Sequence, residues 1–89
     1  MDKKVRAVVK VSRAAMPSKC RGQYDRVAVM LMEEGAPAPT MISDRARGCL
    51  KIVRVWEKCY SGGERSASQR AQRDAKALAD QINSGEIHV

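Results

Sequence analysis

Phenylalanine is missing from this 89-residue chain, and its only aromatics are Tyr24, Trp56 and Tyr60. A core of this size must therefore be built from Val, Ile, Leu, Met and Ala. So few rings also disfavour a base-stacking platform for single-stranded nucleic acid, which needs successive aromatic side chains on an open surface. Long apolar runs are missing too. The longest, Val27 to Met32, spans six residues, against the roughly 20 that a membrane-spanning helix needs. The basic start resembles that of a signal peptide, but Arg6 and Lys10 interrupt any apolar h-region. A cytoplasmic protein with no membrane partner is expected.

Residues that commonly carry catalysis are scarce. The one histidine, His88, is next to last, so a Cys59–His88 pair requires the tail to fold back. Three cysteines (Cys20, Cys49, Cys59) are odd in number, widely spaced and without a Cys-x-x-Cys pair. That argues against a disulfide framework, and a zinc site would need all three with His88. Reduced, buried or half-buried thiols are expected instead. Glu33-Glu34 precedes Gly35 and reads as a solvated turn. Tyr60 among arginines suggests a nucleophilic tyrosine, but without the rest of such a site it reads as a core or interface residue. Gly62-Gly63 lacks phosphate-loop spacing and reads as a turn. No catalytic residue, metal or cofactor is expected, and the chain is not expected to be an enzyme.

At 9.8 kDa the chain has the length of one domain. The expected layout is a sheet with loops over 4–60, a helix over 66–83 and a tail over 84–89. In Lys4 to Ser12, Val5, Ala7, Val9 and Val11 alternate with Arg6, Lys10 and Ser12, with Val8 as the exception. This is the pattern of a half-buried strand. Arg13 to Gln23, with Pro17, Gly22 and several basic residues, reads as a basic loop. From Tyr24 to Met32, Val27, Val29 and Leu31 face one way and Ala28, Met30 and Met32 the other. Apolar faces on both sides predict a central strand covered twice; a helix is the competing reading. Ala36-Pro-Ala-Pro-Thr40 is a stiff connector.

Residues 49–60 admit two readings. As a strand, Leu50, Ile52, Trp56 and Tyr60 share a face, with Val53 and Val55 opposite. As a helix from near Ser43, Arg47, Lys51, Arg54 and Lys58 form a basic stripe opposite Ala46, Cys49, Val53, Trp56 and Tyr60. Period favours the helix, whereas β-branched composition and Gly48 favour the strand, which we assign. Downstream, Ser66 and Gln69 fit a capping box. Ala67, Ala71, Ala75, Leu78 and Ile82 follow at helical spacing, and Asn83-Ser84-Gly85 is a stop. Residues 86–89 are read as a short strand or a frayed tail. The expected fold is α+β, a small antiparallel sheet of about three strands packed by one C-terminal helix. In outline this resembles the sheet-and-helix DNA-binding modules of some integrases and plant transcription factors. The likeness is one of topology, over the last 60 or so residues, and no residue signature is shared.

Seventeen Lys and Arg against 10 Asp and Glu give a formal charge of +7. The basic residues fall into three groups: Arg6, Lys10, Arg13, Lys19 and Arg21; Arg45, Arg47, Lys51, Arg54 and Lys58; and Arg65, Arg70, Arg73 and Lys76. Arginine supplies a planar donor fork suited to phosphates and guanine edges. The expected partner is therefore nucleic acid, a duplex held through its backbone, with Arg47, Lys51, Arg54, Lys58, Arg6, Lys10, Arg70 and Arg73 as candidate contacts. The competing view is that these cations merely solvate a small domain, since Glu57, Glu64, Asp74 and Asp80 partly neutralise them. A second function class is a protein-interaction module: a homodimer, or a phage-type or mobile-element-type regulator or inhibitor docking on a larger protein or nucleoprotein complex. Adaptable Met30, Leu31 and Met32 are its candidate interface, although methionine is also a common core filler.

Overall fold

The computed structural model describes residues 5–13, 23–60 and 66–88. Three strands, β1 (Val5–Arg13), β2 (Gln23–Glu33) and β3 (Cys49–Tyr60), precede one helix, α1 (Ser66–Asn83). The strands form one antiparallel sheet in the order β1-β2-β3. The fold is the expected small α+β arrangement, and residues 49–60 are a strand.

Side chains of β2 decide the layering. Period-two alternation sends Val27 and Val29 to one side, where they meet Ala7, Trp56 and the helix alanines Ala71, Ala75 and Ala79. It sends Ala28, Met30 and Met32 to the other, where Val8, Ile52 and Val55 join Ala36, Ile42 and Ala46 of the β2–β3 connection. The helix thus covers one face of β2, and the 34–48 connection covers part of the far face. This explains Val8, which breaks the alternation of β1: the connection makes its side of the sheet apolar. Val27, Val29 and Met30 are each fully buried. Burial of a side chain of this kind is worth about 1.5–3 kcal/mol.

Two irregularities shape β3. Its pairing with β2 slips between Val29 and Met30 and again between Leu31 and Met32, leaving Val53 and Leu50 as extra residues. Each bulge resets the phase of the strand. The four residues expected to share a face are therefore divided. Ile52 packs with Met30 on the far side, Trp56 packs on the helix side, and Leu50 is exposed. Val53 and Val55 likewise part company, Val53 joining the helix-side core and Val55 the far side. The side chain of Tyr60 lies outside the described residues. At the start of β3, Gly48 has φ +80, and a Cβ there would collide with that of Ala36. Only glycine fits this left-handed position under the connector. The Gly48 carbonyl accepts the Glu33 amide at 2.8 Å, which closes the connection.

The helix buries Ser68, Ala71, Ala75 and Ala79, with Leu78 and Ile82 half-buried. Ala79 is an addition to the expected stripe; the Ala67 and Ser66 side chains, and with them the capping box, lie outside the described residues. Ser68 Oγ donates to the buried Asp25 carboxylate at 2.9 Å and accepts from Gln72 Nε2 at 3.2 Å. These bonds fix the first turns of α1 over the start of β2. The helix ends as the sequence leads one to expect. Gly85 has φ +87, its amide donates to the Ile82 carbonyl, and the Glu86 amide donates to the Gln81 carbonyl, the paired bonds of a Schellman cap. Residues 86–88 form no strand.

Asn83 fastens the other end of the helix. Its Oδ1 accepts the Ala7 amide at 2.7 Å, and its Nδ2 donates to the Ala7 carbonyl at 3.0 Å. The side-chain amide therefore pairs with the edge of β1 as a neighbouring strand would. Each such bond contributes about 1 kcal/mol net. Asn83→Ala is expected to lower stability by about 1–2 kcal/mol, seen as a lower urea midpoint at unchanged m-value. A midpoint equal to that of the parent protein would show that the helix holds β1 without this contact.

Candidate nucleic-acid interface

The phase of β3 sorts the candidate cations. Arg54 is the register partner of Val29, and Lys51 that of Leu31. Both partners belong to the helix-side phase of β2. Positions 51 and 54 are three apart and would fall on opposite faces of a regular strand. The extra residue at Val53 brings them to the same face. Lys58 pairs with Asp25 and has the same phase as Arg54 and Trp56; its side chain lies outside the described residues.

Trp56 gives Arg54 its geometry. The guanidinium lies 4.6 Å from the centre of the indole ring, while the ring itself is 9% exposed and packed into the helix-side core. Such a contact is worth about 0.5–1 kcal/mol at an exposed site. Its main consequence is restraint, because a planar guanidinium held over the ring loses less side-chain freedom when it meets an anion. The sequence reading did not name this pair, although the strand assigned to residues 49–60 gives Arg54 and Trp56 the same phase. The signal was their spacing of two in a β-branched segment.

Arg70 and Arg73 are exposed on α1, on the same side of the sheet as Lys51 and Arg54. Among the described residues none of these four takes part in an ion pair. Glu57 does not neutralise them: it pairs with Arg26 at 3.6 Å, on the phase of β2 and β3 that faces away from the helix. That pair is partly exposed and worth about 0–1 kcal/mol.

The remaining candidates lie elsewhere. Arg6 and Lys10 are the register partners of Met32 and Ala28, which places them on the far side. Arg47 is exposed in the turn before Gly48, beside Glu33 and Glu34. The expected groups therefore become two separate surfaces, and Arg47 does not continue the row of Lys51 and Arg54. Arg13, Lys19, Arg21 and Arg65 lie outside the described side chains. Met30, Leu31 and Met32, the candidate protein interface, are 0%, 7% and 2% exposed. The folded chain uses them as core.

Cys49 is half-buried at the start of β3. Its thiol is pushed above the usual range, first by burial and then by the nearby Asp44 charge. It is neutral and weakly nucleophilic near neutral pH. Among the described residues no three His, Cys, Asp or Glu side chains come together as a metal site. Among them also, no helix is long and apolar enough to cross a membrane. The fold and this surface define a small α+β domain with cations gathered on the helix side of an edge strand. In comparisons with known proteins, no family model, no curated protein and no solved structure matches the chain.

Proposed function

We propose that this protein is a non-catalytic nucleic-acid-binding domain of the cytoplasm. It holds the backbone of a duplex with Lys51 and Arg54, joined by Lys58 on β3 and by Arg70 and Arg73 on α1. The observation that carries this reading is the shared face of Lys51 and Arg54: both exposed, neither in an ion pair among the described residues, and one stacked on Trp56. Free cations in a row neutralise successive phosphates and release their counterions. The burial of Trp56 favours duplex over single strand, because a ring that is 9% exposed offers no platform to an unpaired base.

Fluorescence anisotropy with a labelled duplex of about 20 base pairs tests this across a salt series. The expected result is an association constant that falls linearly on a log–log plot, with a slope of about −0.9 for each phosphate contacted. A single strand of the same length should bind more weakly. Binding without a salt slope, or no binding at low salt, would sink the proposal.

A further inference from the structure

A second surface lies on the opposite margin of the sheet. We propose that the outer edge of β1, with the cleft beside it, binds an extended acidic segment of a partner protein as a fourth strand. This inference is independent of the nucleic-acid reading, since it uses different residues on the far side of the molecule.

The direction of the β1 backbone comes first. The Ala7 amide and carbonyl both bond to the Asn83 side chain, so they point away from β2. Backbone direction alternates along a strand, and Val9 and Val11 therefore present their amides and carbonyls to the same outer edge. Among the described residues those groups have no partner there. Asn83 already satisfies one position of this edge as a strand would, and the next positions are open.

The two edges of the sheet are treated differently. β3 carries two bulges, a device that discourages strand addition. β1 has neither bulge nor proline, and its register with β2 runs unbroken from Val5–Glu33 to Arg13–Asp25. Val5 and Val11 are 43% and 38% exposed. This edge is unbroken, carries apolar side chains on its helix-side phase and Arg6 and Lys10 on the other, and among the described strands is paired on one side only.

Beside it a cleft of about 510 Å³ separates β1 from the proline-rich connector. Val8, Met32 and Pro37 supply apolar lining, Arg6 and Lys10 supply two cations, and Glu33 one carboxylate. This charge pattern selects the occupant. Antiparallel pairing of two β1 edges would put Arg6 and Lys10 of both copies on one face, and like charges on neighbouring strands are unfavourable. A strand that pairs with Val9 and Val11, beyond the position held by Asn83, instead places carboxylates opposite Lys10 and Val8, the latter within diagonal reach of the long Arg6 side chain. Its backbone would pair with Val9 and Val11, and its apolar residues would lie on the opposite face. Backbone pairing supplies affinity in this mode, and alternate side chains supply specificity.

The test uses a capped heptapeptide of alternating valine and glutamate, its lysine counterpart, and amide NMR of the labelled protein. With the glutamate peptide, the Val9 and Val11 amides should shift and exchange about tenfold more slowly, as expected when open edge amides become hydrogen-bonded. The lysine peptide should leave them unchanged. Val11→Pro removes one outward donor at an edge position that tolerates proline, and should weaken binding about tenfold. Should that variant unfold, Arg6→Glu with Lys10→Glu serves alone, and is expected to reverse the preference to the lysine peptide. Equal response to both peptides overturns the proposal, as does silence at Val9 and Val11. The same shifts on adding duplex DNA would assign the cleft to nucleic acid, and shifts on concentrating the protein alone would assign the edge to a second copy; either overturns it.

Discussion

Ala75→Leu is expected to destabilise this protein by about 3 kcal/mol, the upper part of the range for overpacking a filled core. Ala75 is 0% exposed, and Ala71 and Ala79 on either side are 1% and 5% exposed. They face Ala7, Val27, Val29 and Trp56. Three small residues in a row let α1 lie close to the sheet, and no space is left for three further carbons. The helix would have to lift, and lifting it would strain the Ser68–Asp25 bond at one end and the Asn83–Ala7 pair at the other. A chain of 89 residues has a total stability of roughly 4–13 kcal/mol, so the loss is a large fraction of the whole. The melting temperature should fall by about 12–24 °C. Ala77→Leu is the control, because Ala77 is exposed on the same helix and surface changes usually stay within about 0.5 kcal/mol. If the two variants melted alike, the close approach of helix and sheet would be wrong.

The elements of the fold were legible because each has a signal of the right period. β1 alternates, β2 is apolar on both sides, and α1 carries alanines at helical spacing before a glycine stop. The faces of β3 were not legible, and the reason is physical. A bulge inserts one residue, so Lys51 and Arg54, three apart, lie on one face, and Arg54, Trp56 and Lys58 follow at spacings of two. The resulting row at 51, 54 and 58 imitates a helical stripe. Composition resolved the choice, since Ile52, Val53, Val55 and Trp56 suit a pleated surface. A cover over the far face was expected from the apolar second side of β2, but the residues that supply it were hidden for another reason. Ile42 and Ala46 belong to no periodic segment, and only the folded connection brings them to Met30. Residue type identified the cations of the candidate site, but their grouping depended on strand phase. For that reason the three groups along the chain did not show which cations share a face of the sheet.

This separation of surfaces makes the larger functional prediction sharp. Reversing Lys51, Arg54 and Lys58 together to Glu should weaken duplex binding about 100-fold or more at moderate salt, and should reduce the salt slope by roughly 3, about 0.9 for each contact removed. The loss has two parts, removal of attraction and addition of repulsion against the phosphates, so replacement by Gln should cost less affinity while lowering the slope to a similar extent. Arg54→Glu also removes the contact with Trp56, a loss of about 0.5–1 kcal/mol that thermal melting measures separately. Arg6→Glu with Lys10→Glu changes the net charge by two-thirds as much, two reversals against three, yet its residues lie on the far side of the sheet. That pair should leave the salt slope close to the parent value, with only a small loss of affinity through the overall field. Equal losses in the two variants would mean that net charge, and not the helix-side face of β3, holds the duplex. A larger loss in the Arg6 and Lys10 variant would move the nucleic-acid surface to the cleft and away from β3.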